Sequence, residues 1–229
     1  NKMARKISAL LENVRQEKEM QHLTELQLIQ AQVNPHFLYN TLDTIVWLIE
    51  GGMTDDAVEM ISSLSIFFRT SLSKGNDIIP LSEEERHTLS YLEIQQYRYR
   101  DILEFEINIP KELSGIPVPK LSIQPLAENA LYHGIKNRRG KGKILIEGRE
   151  EEDALVLTVS DNGQGMTPER LHEVQEAIRT GERAGFGLAA VAERIALYYG
   201  PGYGMKIFSE EGKGTTVEIR LGKNIQPKS

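Results

Sequence analysis

Apolar residues recur every three or four positions along the first third of the chain. Ile29, Val33, Phe37, Leu38, Leu42, Ile45, Val46 and Ile49 form one helical stripe, interrupted at Pro35. A proline inside such a pattern removes a backbone bond and costs about 3 kcal/mol, so the helix is expected to kink or restart there and to stop at Gly51-Gly52. Upstream, Met3, Ile7, Leu10 and Val14 follow the seam spacing of a coiled coil. The register lapses over Glu17 to Gln21 and resumes at Leu23, Leu26, Ile29 and Val33. Residues 1–32 are therefore expected to form a long helix pairing in parallel with a second copy. A second short helix is expected after Thr54, through Ala57, Met60, Ile61, Leu64, Phe67 and Phe68 to about Leu72. A third is expected from Ser82, where Ser82-Glu83-Glu84-Glu85 matches a capping box, to Arg100-Asp101. Short connections make neighbouring helices antiparallel, so residues 33–101 read as an all-α bundle completed by a second subunit.

From Ile102 the period changes. Leu103 to Ile109 alternates like a half-buried strand, Leu121 to Ile135 is helical, and Lys143–Arg149 and Ala154–Ser160 read as strands. Helices over 168–179 and 187–199 precede two more strands, Gly204–Ser209 and Thr215–Leu221. Strands and helices mix without strict alternation, which predicts an α+β sandwich over 102–229: one mixed sheet covered by helices.

Bulk properties narrow the picture in three places. The formal net charge of −6 argues against a general attraction to nucleic acid. The absence of cysteine excludes disulfides and thiolate metal sites. No apolar run reaches the ~18–20 residues that span a bilayer. The opening Asn1-Lys2-Met3-Ala4 already reads as helix, so the chain is expected to be a piece of something longer.

Four stretches carry candidate chemistry. His36 follows Pro35 directly; a bland alternative makes Pro35 the first residue of a helix capped by Asn34, with His36 incidental. In Gln124-Pro125-Leu126-Ala127-Glu128-Asn129-Ala130-Leu131-Tyr132-His133-Gly134, Asn129 and His133 are four apart and share a helix face. The Asn129 amide oxygen suits Mg2+, and His133 can donate to a phosphate. In Asp161-Asn162-Gly163-Gln164-Gly165-Met166, after a strand, Asp161 can accept from an exocyclic amine such as that of adenine. Gly163 and Gly165 let the backbone approach a flat base, although Asp-Asn-Gly is also ordinary turn chemistry. Gly185-Phe186-Gly187 leads into a helix whose N-terminal N–H groups suit a phosphate, and Thr215 after Gly214 adds a hydroxyl. His22, His87 and His172 read as surface residues.

Asn34-Pro35-His36-Phe37-Leu38-Tyr39-Asn40 resembles the phospho-acceptor motif of the LytS/YesM-type bacterial sensor histidine kinases, and the resemblance runs from about residue 20 to 221. The later segments resemble the N, G1, G2 and G3 boxes of the Bergerat-fold ATPases. The resemblance implies ATP and Mg2+ as cofactors, with Asn129 on the metal, Asp161 on adenine, Gly163, Gly165, Gly185 and Gly187 around a lid at about 166–186, and His36 as phospho-acceptor. It also implies a homodimer, a response-regulator aspartate as the next acceptor, and a cytoplasmic position behind a membrane sensor region, with residues 1–32 relaying a signal to His36. Many related kinases place an acidic residue directly after the acceptor. Here it is Phe37, which leaves the general base open between Asp43 and Glu128. Asn40 either orients a water for dephosphorylating a partner or is a satisfied polar helix residue. Two rival readings are a clamp ATPase of the same fold and an idle nucleotide-binding scaffold. Pro125 weighs against the first, because it stands where clamp ATPases carry a catalytic glutamate.

Overall fold

A computed structural model describes residues 35–71, 77–136, 138, 140–180, 186–200, 202–223 and 225. The expected coiled-coil helix of residues 1–32, the break ahead of Pro35, His22 and Gly185 lie outside them. The chain divides into two compact units, residues 1–52 and 53–229.

In the first unit, helix α1 (Pro35–Glu50) buries Phe37, Thr41, Ile45 and Leu48, a stripe at helical spacing. Its other faces keep Leu42, Val46, Trp47 and Ile49 exposed. The helix ends as expected, with the Gly51 N–H on the Trp47 carbonyl and Gly52 at φ 74°.

The second unit opens with α2 (Thr54–Ser71), which buries Ala57, Met60, Ser63 and Phe67. Strand β1 (Ile78–Pro80) leads into α3 (Leu81–Arg98). The capping box expected at Ser82 is not used: the helix starts a residue earlier, and its leading N–H groups reach the Ile116 and Ser114 carbonyls at 2.9 and 3.0 Å. Tertiary contacts satisfy these donors, so no local side chain is needed. Helix α3 packs against α2, β2 and α4 at once. Its buried set therefore runs round the helix: Leu81, Glu84, His87, Tyr91, Leu92, Ile94 and Gln95. His87 is thus a core residue and not a surface one. It stacks on Phe67 at 4.6 Å between ring centroids and shares a hydrogen bond of 2.8 Å with Thr70 Oγ1. Burial drives its pKa down to about 4 against the favourable neighbourhood of Gln124. His172 is exposed, as read from the sequence.

Strands β2 (Leu103–Asn108), β4 (Gly142–Glu150), β5 (Ala154–Asp161), β6 (Gly204–Glu210) and β7 (Gly214–Gly222) form a sheet ordered β2-β4-β5-β7-β6. β2 runs parallel to β4 and every other pairing is antiparallel, so the sheet is mixed. A short antiparallel pair joins β1 to β3 (Pro117–Pro119). Helices α3, α5 (Pro168–Thr180) and α6 (Phe186–Tyr199) cover the sheet, while α4 (Gln124–Asn129) packs on α3 and α6 and the turns that follow it meet β4, β5 and β7. Strand β7 buries Val217, Ile219 and Leu221, while Glu218 and Arg220 on its other face pair with Arg149 and Glu151. The architecture is the expected α+β sandwich.

Helix α4 does not run unbroken to Ile135 as the pattern predicts. It gives way to π turns over Ala130–Ile135, where the Lys136 N–H reaches the Leu131 carbonyl at 2.9 Å.

Candidate active site

Strand β5 is central, with β4 and β7 on either side, and its last residue is Asp161. Across the ladder Asp161 faces Ile144 on β4 and Thr215 on β7. The Asp161 carboxylate is buried and accepts the Gly163 N–H at 2.8 Å. Burial pushes its pKa from 3.8 up to about 6, against the pull of the Gly163 and Thr215 backbone N–H groups. The Thr215 hydroxyl shares a hydrogen bond of 2.9 Å with Ser209.

The α4–π segment lies over the end of β5. A Cβ on Gly134 would stand 2.4 Å from Asp161 Oδ1, and one on Gly163 would stand 2.3 Å from the Gly134 carbonyl carbon. Only two glycines allow this approach. Gln164 ties the loop down further: its N–H bonds to the Gly134 carbonyl at 3.1 Å and its side-chain amide to the His133 carbonyl at 3.0 Å. The Gln164 carbonyl accepts the Gly212 N–H from the β6–β7 turn at 2.6 Å. Gly165 sits at φ 66°, where L side chains are strained.

These contacts leave a cavity of about 490 Å³. Asn129 and His133 line it from the α4–π segment, Asp161 and Thr215 from the sheet, and Gly165, Met166 and Thr167 from the loop. Helix α5 adds Arg170 and Val174, α6 adds Leu188, and the β6–β7 turn adds Glu211. Thr167 caps α5, its hydroxyl taking the Arg170 N–H at 3.3 Å with Pro168 as the first helical residue. A half-apolar cleft with a few fixed polar groups of this size suits a small ligand.

Five of the residues singled out in the sequence therefore meet: Asn129, His133, Asp161, Gly165 and Thr215. Gly163 and Gly187 do not line the cavity. Gly163 packs against Gly134, and a Cβ on Gly187 would stand 3.6 Å from Pro125 Cβ. Gly134 and Glu211 went unassigned in the sequence, and Met166 and Arg170 fell only within the span expected for a lid. Of these only Gly134 carried a signal, a glycine inside a helical run that costs about 1 kcal/mol unless something must come close.

In the other unit His36 is exposed on α1, with Phe37 buried behind it. Asn40, four residues on, is half-buried and its amide nitrogen has no partner among the described residues. Of the two acids left open as general base, Asp43 is exposed, whereas burial raises the pKa of Glu128, the neighbour of Asn129.

Residues 24–103 match the family model described as histidine kinase, and residues 119–225 match that of histidine kinase-, DNA gyrase B- and HSP90-like ATPases. The chain belongs to the histidine kinase family. It is 36% identical to the sensor histidine kinase YesM of Bacillus subtilis over 96% of this chain and 37% of that protein. It is 33% identical to the sensor histidine kinase BtsS of Escherichia coli over 90% of this chain and 34% of the relative. The sensor protein LytS of Staphylococcus saprophyticus is 34% identical over 86% of this chain and 33% of its own length. The chain spans about a third of the length of the curated relatives it matches. The histidine kinase model covers His36, and the ATPase model covers the whole cavity.

Proposed function

We propose that this chain is the kinase portion of a dimeric sensor histidine kinase, which transfers the γ-phosphoryl of ATP to His36 and passes it to an aspartate of a response regulator. The observation that carries the reading is the cavity that gathers Asn129, His133, Asp161, Gly165 and Thr215, in a chain that also presents an exposed His36 after Pro35. Ionised Asp161 accepts the exocyclic amine of adenine, and the glycine-bounded loop 163–166 lies along the base. His133 and Arg170 face the phosphates. Among the described residues no cluster of three His, Cys, Asp or Glu could hold a metal on its own. A single amide oxygen from Asn129 fits Mg2+ that arrives with phosphate oxygens and waters as its other ligands. That ion would supply charge neutralisation at the phosphates.

The step itself is an in-line displacement. A neutral ring nitrogen of His36, probed best as Nε2, attacks the γ-phosphorus, the bond to the β-phosphate oxygen breaks, and ADP leaves. The product is a phosphoramidate, whose P–N bond is then cleaved by the regulator carboxylate. Positioning carries most of the rate, since covalent help is small. Asn40, one turn after His36, would orient the water that hydrolyses the partner's phosphoryl group to inorganic phosphate.

The exposed apolar stripe Leu42, Val46 and Ile49, spaced four and three apart, supports a homodimer through α1. Residues 1–32 serve as the signalling part, 33–101 as the dimerisation and phosphotransfer part, and 102–229 as the ATP-binding part. In the cell it would be the cytoplasmic portion of a membrane sensor; among the described residues no helix is long and apolar enough to cross a membrane.

Incubation with γ-labelled ATP and Mg2+ tests the reading. Alkali-stable, acid-labile label is expected on the native chain and none on His36→Gln. Steady phosphate release from both proteins without label would replace the kinase by a clamp ATPase, and label persisting in the variant would move the acceptor.

A further inference from the structure

The turn that launches the Asn129 helix is held by side chains that do not line the cavity. Leu121 has φ 60°, the left-handed region, and is the one non-glycine residue there among those described. That conformation is strained for an L residue and persists only where surroundings fix it. The surroundings are explicit. Glu84 on α3, fully buried, accepts the Leu121 N–H at 2.9 Å and the Ile123 N–H at 2.8 Å, one on each carboxylate oxygen. Arg194 on α6 donates to the carbonyls of Lys120 and Leu121 at 2.8 and 3.0 Å. The Lys120 N–H bonds to the Asp77 carbonyl at 2.9 Å, and its ammonium group donates to the Ser71 carbonyl at the end of α2.

A local cap would hold a helix start more simply. Ile123, at the N-cap of α4, has no side chain able to do so. A buried carboxylate is an expensive substitute, because desolvation disfavours its charge; here burial raises its pKa despite the N–H groups of Ile123 and Leu121. What the arrangement achieves is registration. Asn129 stands six residues beyond Ile123, roughly 9 Å along the helix. Arg194 stands six residues beyond Leu188, which lines the cavity from α6. One turn therefore ties the base of α4 to the second half of α6, and α3 holds that turn.

We propose that Glu84 and Arg194 are positioning residues, fixing the Lys120–Ile123 turn so that Asn129 and the start of α6 meet the metal-bound phosphates at a set spacing. The inference rests on the nucleotide reading above. They touch neither substrate nor metal.

The test is ADP affinity of the whole chain, in EDTA and in excess Mg2+, for the native protein, Glu84→Ala, Glu84→Gln and Arg194→Met, with unfolding temperature alongside. Glu84→Ala and Arg194→Met should lose about tenfold or more of the Mg2+-dependent gain, as supporting-shell changes do. Their affinity in EDTA should fall much less, since Asp161 and Thr215 are held by the paired strands β5 and β7. Glu84→Gln, keeping one acceptor oxygen, should fall between. If Glu84→Ala does not fold, half-buried Arg194 still decides the matter. An unchanged Mg2+ gain overturns the inference, as does a parallel loss of EDTA affinity and unfolding temperature. A native chain that binds no ADP in either buffer overturns the nucleotide reading itself.

Discussion

His36 stands exposed on a helix whose inward face is Phe37, Thr41, Ile45 and Leu48, whereas Asp161 lies buried at the end of the central strand with backbone N–H groups on its carboxylate. On the proposed reading His36 is a nucleophile that must visit a phosphate, and a site built from a few residues of one helix leaves it that reach. A group that must select a base needs low dielectric and fixed geometry. That geometry comes from β5, β7, the α4–π segment and the 162–167 loop together.

The largest expected effect separates the two regions cleanly. His36→Gln should abolish acid-labile labelling altogether while ADP affinity stays within about twofold, because His36 is not among the residues that line the cavity. Gly134→Ala should do the reverse damage. Its methyl group would collide with the Asp161 carboxylate, and nucleotide affinity should fall about 100-fold, with about 1–3 kcal/mol of stability lost to overpacking. Isothermal titration and thermal unfolding read both numbers.

Acidity divides the regions next. The Asp161 carboxyl binds its proton more tightly folded (pKa about 6) than unfolded (3.8), so the folded state carries the extra proton between those values. Stability is fully present below about 4, falls as pH rises through about 6, and levels off about 3 kcal/mol lower. Affinity for adenosine should move oppositely, rising through pH 6 as the acceptor ionises. Asp161→Asn should flatten both curves, unfold at a higher temperature than the native chain at pH 8, and bind adenosine poorly. Two parallel curves in place of opposed ones would refute the assignment. The smallest effect sharpens the contrast from the other side: Val46→Glu on the exposed stripe should convert dimer to monomer in sedimentation, yet shift ADP affinity by less than about twofold.

Most elements were legible in the sequence because their periods are undisturbed, as in β7, where Val217, Ile219 and Leu221 alternate with polar residues. What was missed depends on distant partners. Strands β1 and β3 are three residues each and contain prolines, so nothing local marks them as paired. Ser82 carries a cap signature that the Ile116 and Ser114 carbonyls make redundant. His87 sits among charged and polar neighbours in sequence, but α3 is packed on several sides and takes it inside. The cavity was legible through Asn129, His133, Asp161, Gly165 and Thr215. Arg170 and Glu211 were not, because their place depends on how α5 and the β6–β7 turn close over the sheet.

Gly134 stands five positions beyond Asn129, and an α-helix would set them about 140° apart round its axis. The wider turns over Ala130–Ile135 bring both to one cavity. The length of this segment is then as much a part of the site as its side chains. Loss of a single codon inside it should let the helix relax to ordinary pitch with both ends still facing the same way, while an added codon would have no such place to go. Descent with small insertions and deletions can therefore reshape this wall of the pocket by counting, without rewriting a motif.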